Sequence, residues 1–215
     1  MNAVVCDPAD NTIIISGRTQ ALVKLSRDNK VIWILGCHRG WGMGGNGMDL
    51  RNYLLQPVDK NDQPITDTAI LNGYTNHPDF EWNWYQHAPL VKGNGNVMMF
   101  DNGGTNRNFS GAGQYSRAVE FSINKERKRV KQVWDFGKEL GTQLYSSIVS
   151  DVDFVPENNH VIISAGAVNN NGNPYGRIIE VDYQTKDISF DATLFPPNTT
   201  FTVIFHRTER LSLYP

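Results

Sequence analysis

The sequence predicts an all-β fold. Its apolar residues come in short runs rich in Val, Ile, Phe and Trp, Gly, Asn, Asp and Pro separate the runs, and no stretch keeps the 3.6-residue period of an amphipathic helix. Strands are expected over 12–16, 21–26, 31–35, 87–91, 97–101, 118–123, 130–136, 147–154, 160–165, 177–181, 188–192 and 201–206. The intervals carry turn chemistry. Arg27-Asp28-Asn29-Lys30, Lys92-Gly93-Asn94-Gly95 and Pro156-Glu157-Asn158-Asn159 place residues that accept left-handed or pre-set φ where the chain must reverse.

A repeat emerges when three stretches are laid on one another. Arg18 leads into Leu22-Val23-Lys24-Leu25, a polar turn and Val31-Ile32-Trp33-Ile34-Leu35-Gly36. Arg117 leads into Ala118-Val119-Glu120-Phe121, a turn and Val133-Trp134-Asp135-Phe136-Gly137, and Arg177 into Ile178-Ile179-Glu180-Val181, a turn and Ile188-Ser189-Phe190. An apolar strand precedes each. A unit of three or four antiparallel strands cannot bury both faces alone, so the copies are expected to stack as blades of a partial β-propeller. Lys24, Glu120 and Glu180 lie 96 and 60 residues apart, more than the ~40 to 50 of common blades, so insertions are expected. The longest, 36–73, holds Gly42-Met43-Gly44-Gly45-Asn46-Gly47 and reads as a mobile surface loop or as a lid over a site. Three blades do not close a ring of roughly 4 to 8. The chain is therefore expected to belong to a longer protein or to form a homodimer with a second copy.

At 215 residues with 40% hydrophobic and 20% charged residues, the chain is expected to form one domain over 1–215. A net charge of -2 gives no pull toward nucleic acid or an anionic membrane. The run Lys125-Glu126-Arg127-Lys128-Arg129 reads as a solvated hairpin turn. No apolar stretch approaches the ~20 residues that cross a bilayer. The start, Met1-Asn2-Ala3-Val4-Val5-Cys6-Asp7, has neither the basic end nor the apolar core of a secretory signal. Cys6 and Cys37 match no zinc spacing and read as buried free thiols, with a single disulfide between them open in an oxidising compartment. No cofactor or metal is expected: no nucleotide-binding motif, serine elbow or metal-spaced histidine pair is present, and Asp151 and Asp153 read as turn or edge residues.

One segment concentrates chemistry. Trp82-Asn83-Trp84-Tyr85-Gln86-His87 opens a strand and is followed by another ending in Phe100-Asp101-Asn102-Gly103. His87 reads either as a satisfied strand-start histidine or as a nucleophile, since a neutral imidazole attacks near pH 7 without a separate base. Trp82, Trp84 and Tyr85 read as packing between blades or as walls for an aromatic ligand. Arg18 offers a charge that never titrates and a fork that fits an anion. Arg117 and Arg177 share its place in the repeat, which favours a structural role for all three. His38 reads as a loop histidine facing solvent, and His77, His160 and His206 fall in a loop, at a hairpin and near the C-terminus.

Several stretches in order resemble the C-terminal part of the bacterial arylsulfate sulfotransferase family. They are Ile13-Ile14-Ile15-Ser16-Gly17-Arg18-Thr19-Gln20, Lys30-Val31-Ile32-Trp33-Ile34-Leu35-Gly36, Trp84-Tyr85-Gln86-His87 and Phe100-Asp101-Asn102-Gly103. Tyr115-Ser116-Arg117-Ala118-Val119-Glu120-Phe121, Gln132-Val133-Trp134-Asp135-Phe136-Gly137, Tyr145-Ser146-Ser147 and Glu209-Arg210-Leu211-Ser212-Leu213-Tyr214 continue the series. The resemblance implies about three blades of a six-bladed propeller and a periplasmic enzyme. It implies transfer of a sulfuryl group from a phenolic sulfate ester to a phenol, without a nucleotide donor and through a histidine carrier. The carrier maps onto His87, the sulfate-binding arginine onto Arg18, and the asparagine of a His-x-Asn step onto Asn2, the histidine of that step falling before Met1. A family threonine falls on Val149, and a cysteine pair ahead of the carrier has no counterpart in 73–80. Small-molecule aryl sulfates and phenols are the expected partners. With family ligands outside these residues, the chain alone is expected to be weakly active or inactive, or else a non-catalytic propeller that binds a partner through its loops.

Overall fold

The computed structural model describes residues 1–104, 113–170, 173–198 and 201–211. The strands follow from the alternation the sequence shows. In β2 (Thr12–Gly17) every second residue is buried, Thr12, Ile14 and Ser16 facing in while Ile13 and Ile15 lie half-covered. With β1 (Ala3–Asp7), β3 (Ala21–Leu25) and β4 (Val31–Leu35) it forms an antiparallel sheet in chain order. The second sheet runs β5-β9-β8-β7-β6, from β5 (Gln56–Val58), β6 (His87–Val91), β7 (Val97–Asp101), β8 (Arg117–Asn124) and β9 (Arg129–Phe136), with β5 added parallel to β9. The third runs in chain order through β10 (Asp151–Val155), β11 (His160–Asn170), β12 (Asn173–Asp182) and β13 (Ile188–Leu194). The fold is all-β, and its three sheets are open.

The middle sheet is covered on both faces, which explains why all five residues of β7 are buried. Val97 and Met99 join Ile14, Leu22, Trp33 and Leu35 of the first sheet in one core. Met98 and Phe100 join Val161, Ile163, Ile179 and Val181 of the third sheet in the other. The edge strands β1 and β10 each lie beside the edge strand β6, so each sheet presents an edge strand to a common line. The repeated charged position is paired in all three sheets: Lys24 to Asp7 at 2.6 Å, Glu120 to Lys92 at 2.9 Å and Glu180 to Arg210 at 2.6 Å.

Several expectations need correction. Residues 147–150 do not extend β10, because Val149 and Ser150 in succession take left-handed φ of 53° and 87°, outside the extended range of a strand. Residues 201–206 form no strand. They cross the third sheet on two backbone bonds, Val203 N to Pro174 O and Phe205 N to Gly166 O, because β11 and β12 are already paired on both sides. Strands β1 and β5 were not expected. The 36–73 insertion is not a mobile surface loop: it holds β5 and a short helix α1 (Thr68–Leu71), and it buries Leu55, Val58, Ile65 and Ile70. Cys37 is buried as expected, but Cys6 is exposed, and both are free thiols. The resembling stretch at Ser212, Leu213 and Tyr214 lies outside the described residues.

Candidate active site

The site forms where the chain enters β6 from the first sheet. The Gln86 carbonyl accepts from Asn2 Nδ2 at 2.7 Å and from Ser16 Oγ at 3.2 Å. Its side-chain Nε2 donates to Ser16 Oγ at 3.2 Å and to Gly17 O at 3.1 Å, and Asn83 Nδ2 donates to its Oε1 at 2.9 Å. Gln86 is thus a buried rivet between two sheets. On either side of it the backbone is forced out of the strand: Tyr85 has φ 55° and Ala88 φ 46°, and the register with β7 shifts between His87 and Leu90. Gly103 N to Trp84 O at 2.9 Å and Trp84 N to Asp101 Oδ1 at 2.8 Å hold the approach from the β7 side. Gly104 follows with φ 50°, and any side chain there would run into the Tyr85 ring.

This framework presents His87 half-buried at the start of β6. Its Nδ1 lies 2.7 Å from Asn102 Oδ1 and 3.1 Å from Tyr85 O. Both partners are acceptors, so Nδ1 carries the hydrogen and Nε2 the lone pair. Among the described residues Nε2 has no hydrogen-bond partner. Burial pushes the His87 pKa below the ordinary imidazole value. The hydrogen bonds to Asn102 and Tyr85 oppose that shift, and the nearby charges of Arg18 and His206 add to it. The ring is therefore neutral at pH 7.

Arg18 is exposed, 5.3 Å above the Tyr85 ring centroid, and donates only a long bond of 3.4 Å to Ser147 O. Among the described residues no carboxylate pairs with it, unlike Arg117, which is fully buried between Asp101, Glu81 and Asp135, and Arg177, which meets Asp191 at 2.7 Å. One of the two amide N–H groups of Asn2 donates to Gln86 O, while its buried Oδ1 has no partner among the described residues.

The other aromatic and histidine residues weighed in the sequence lie elsewhere. Trp82 and Trp84 are core residues: Trp82 donates to Ile70 O at 2.8 Å and meets Phe80 edge-on at 4.8 Å. Tyr85 alone of the three aromatics borders the site. His38 does not face solvent; it lies against Trp82 with its Nε2 3.0 Å from Leu55 O. His77 accepts from Asp79 N at 3.1 Å and His160 pairs with Glu180 at 2.7 Å, both away from His87. The sequence reading missed Asn102 as a partner of His87 and His206 as a neighbouring charge. A signal for Asn102 existed in the Asp101-Asn102-Gly103 end of an apolar strand, whereas nothing in the sequence could bring residue 206 near residue 87.

Below the site, a cavity of about 300 Å³ opens along β1, β6 and β10, lined by Val4, Ala88, Leu90, Asp151, Asp153 and Arg207. Asp151 and Asp153 are edge residues, on the edge strand β10, and they line this cavity. Burial, with Asp153 adding repulsion and Arg207 opposing, pushes the Asp151 pKa up to about 7. Among the described residues no group of three or more metal-ligating side chains gathers, and no helix is long and apolar enough to cross a membrane.

Comparison with known proteins places the chain in a family. The chain is 34% identical over 209 residues to the arylsulfate sulfotransferase AssT of Escherichia coli O6:H1, covering 93% of this chain and 34% of that protein. It is 33% identical over 208 residues to the protein of the same name from Lelliottia amnigena, with the same coverage of 93% and 34%. The chain thus spans about a third of the length of these curated relatives. Residues 1–202 match the arylsulfotransferase (ASST) family. With that match running through all three sheets and across Asn2, Arg18 and His87, the chain belongs to the arylsulfotransferase family.

Proposed function

We propose that the protein transfers a sulfuryl group from a phenolic sulfate ester to a phenol, with His87 as the transient carrier. The observation that carries this reading is the state of His87: neutral, with Nδ1 engaged by two acceptors and Nε2 unpaired, in reach of an arginine that has no carboxylate partner. In the first half-reaction the Nε2 lone pair forms the N–S bond as the S–O(aryl) bond breaks and its electron pair leaves on the phenolate. In the second, an acceptor phenol that has given up its proton attacks sulfur, and the N–S pair returns to Nε2. No proton has to leave His87 in either step.

Sulfuryl oxygens are anionic and the sulfur electron-poor, so the transfer calls for an aligned nucleophile and cationic donors. Arg18 supplies the donor, and the Tyr85 ring beneath it holds the guanidinium in place. Asn2, tied through its amide Nδ2 to Gln86 O at the same joint, is the further substrate-binding residue of this reading. The site belongs to a propeller in this reading, with three consecutive blades of six here; the adjacency of β1, β6 and β10 supports it. The reaction uses no nucleotide donor, its partners are small aryl sulfates and phenols, and family membership supports a periplasmic setting.

Incubation of the protein with p-nitrophenyl sulfate and mass spectrometry of the peptide holding His87 tests the proposal. An acid-labile sulfuryl group on that histidine is expected, lost in His87→Ala. Label on another residue, or turnover unchanged in His87→Ala, would each sink the carrier assignment.

A further inference from the structure

We propose that Asn102 is a positioning residue for His87, setting its tautomer and steadying the positive charge that a group on Nε2 leaves on the ring; this rests on His87 being the carrier. Asn102 is fully buried just after β7, and its whole amide is engaged. Nδ2 donates to Ser146 O at 2.7 Å and to Val149 O at 3.1 Å, and Oδ1 faces His87 Nδ1 at 2.7 Å. Carbonyls only accept, so the amide must turn its NH₂ toward the two of them and its oxygen toward the imidazole. The reversed amide would set Oδ1 against two carbonyl oxygens.

The direction therefore comes from the third sheet. Residues 146–150 lead into β10, and the left-handed backbone at Val149 and Ser150 belongs to the same turn. Ser116 holds that turn to the second sheet: its hydroxyl accepts from Ser146 N at 2.9 Å and lies 2.9 Å from Asn102 O and 3.2 Å from Ser146 O. The joint repeats the one at Gln86, where an asparagine N–H and a serine hydroxyl clamp a carbonyl of the next sheet. At Asn102 the amide oxygen on the other side of the clamp reaches the reactive ring.

The chemistry favours a neutral amide in this place. When Nε2 takes the sulfuryl group, Nδ1 keeps its hydrogen and the ring becomes positive. The bond to Asn102 then becomes charge-assisted, about twice as strong as a neutral one. An aspartate would also accept, but its fixed negative charge would favour the protonated imidazole before the reaction and block the Nε2 lone pair. Tyr85 O accepts from the same hydrogen at the longer distance of 3.1 Å and supplements Asn102.

The test labels the histidines of the chain with nitrogen-15, assigns His87 through His87→Gln, and reads its tautomer and titration by long-range nitrogen–proton correlation. The unsubstituted chain is expected to show a neutral His87 with the hydrogen on Nδ1. Asn102→Leu should admit the Nε2–H form and lower the titration midpoint, because an acceptor that favours the cation is gone. Asn102→Asp should restore the Nδ1–H form and raise the midpoint above that of the unsubstituted chain. Arg18 and His206, the charged groups nearest the ring, are the same in all three. Sulfuryl loading of His87 from p-nitrophenyl sulfate should slow roughly tenfold to a hundredfold in Asn102→Leu. A hydrogen on Nε2 in the unsubstituted chain, or an unchanged tautomer and midpoint in Asn102→Leu, would overturn the proposal. Should Asn102→Leu fail to fold, the tautomer of the unsubstituted chain still decides. A ring held as Nδ1–H while the label settles on another residue would instead overturn the carrier reading, leaving the hydrogen bond established.

Discussion

Three arginines occupy one place in the repeat, and their surroundings give them different roles. Arg117 has no exposed surface and is bonded to Asp101 at 3.0 Å, Glu81 O at 3.0 Å and Gln132 at 3.3 Å. Arg177 is held by Asp191 near the surface. Arg18 stacks on Tyr85 and keeps its charge unpaired by any carboxylate among the described residues. The pattern of residues could not separate them, because Arg117's partners Glu81 and Asp135 are far from it in sequence and only the folded sheets bring them in. Substitution should separate them. Arg117→Met removes the buried cation that Asp101, Glu81 and Asp135 surround and is expected to cost about 3–5 kcal/mol in chemical unfolding. Arg18→Ala should change stability by less than about 0.5 kcal/mol. It should nevertheless slow loading of His87 by roughly 10² to 10³. Equal destabilisation by both would contradict this division. His87 itself was legible in the sequence as a strand-start histidine beside aromatics. Its tautomer was not, since that depends on an amide fifteen residues on, oriented by a third sheet.

At the scale of elements, hydrophobic alternation located the strands that pack on both sides, and it failed where backbone conformation decided. Residues 147–150 read as strand by composition, yet the left-handed φ of Val149 and Ser150 ends the strand and aims two carbonyls at Asn102. Strand β10 then carries Asp151 into the cavity shared with β1 and β6. This has a consequence for stability against pH. In the unfolded chain Asp151 ionises near 3.8, and in the folded chain near 7. Below the first value both states are protonated and no penalty applies. As pH rises between the two, the unfolded state releases its proton first and folding weakens; the penalty is complete above the second. Asp151→Asn is therefore expected to stabilise the protein at about pH 8 by on the order of 2 kcal/mol, with the gain gone near pH 4. Urea midpoints measured at both pH values check this, and a gain that does not depend on pH would refute the cause given.

For the whole molecule, the joints between sheets are what assemble the site. Asn2 and Ser16 tie the first sheet to Gln86, and Asn102 and Ser116 tie the second to Ser146. The 36–73 insertion braces the first joint from outside. Leu55 N bonds Ile34 O at 3.0 Å, β5 pairs with β9, and Leu55 packs in the core between the two sheets. Leu55→Ala should cost about 2–5 kcal/mol. By loosening the joint it should also broaden the His87 resonance, whereas a change of similar cost in the core between the second and third sheets, such as Val181→Ala, should leave the Gln86 side intact.

The sequence by itself determined the all-β class, the three repeated strand units and the turns built on Asn29 and Asn159, and it offered His87 as a candidate, whereas Arg18 stood out from the other repeat arginines only through the family resemblance. These are properties of local pattern, because side-chain alternation, turn residues and residue type act within a few positions along the chain. Only the tertiary structure decided that Trp82 and Trp84 are core, that the long insertion is a brace, that Asp151 is buried, and that Asn102 faces Nδ1 of His87. Each of those depends on which distant groups are brought within a few ångströms. Burial, charge and hydrogen-bond direction are set by neighbours in space, and the stacking of three sheets chooses them.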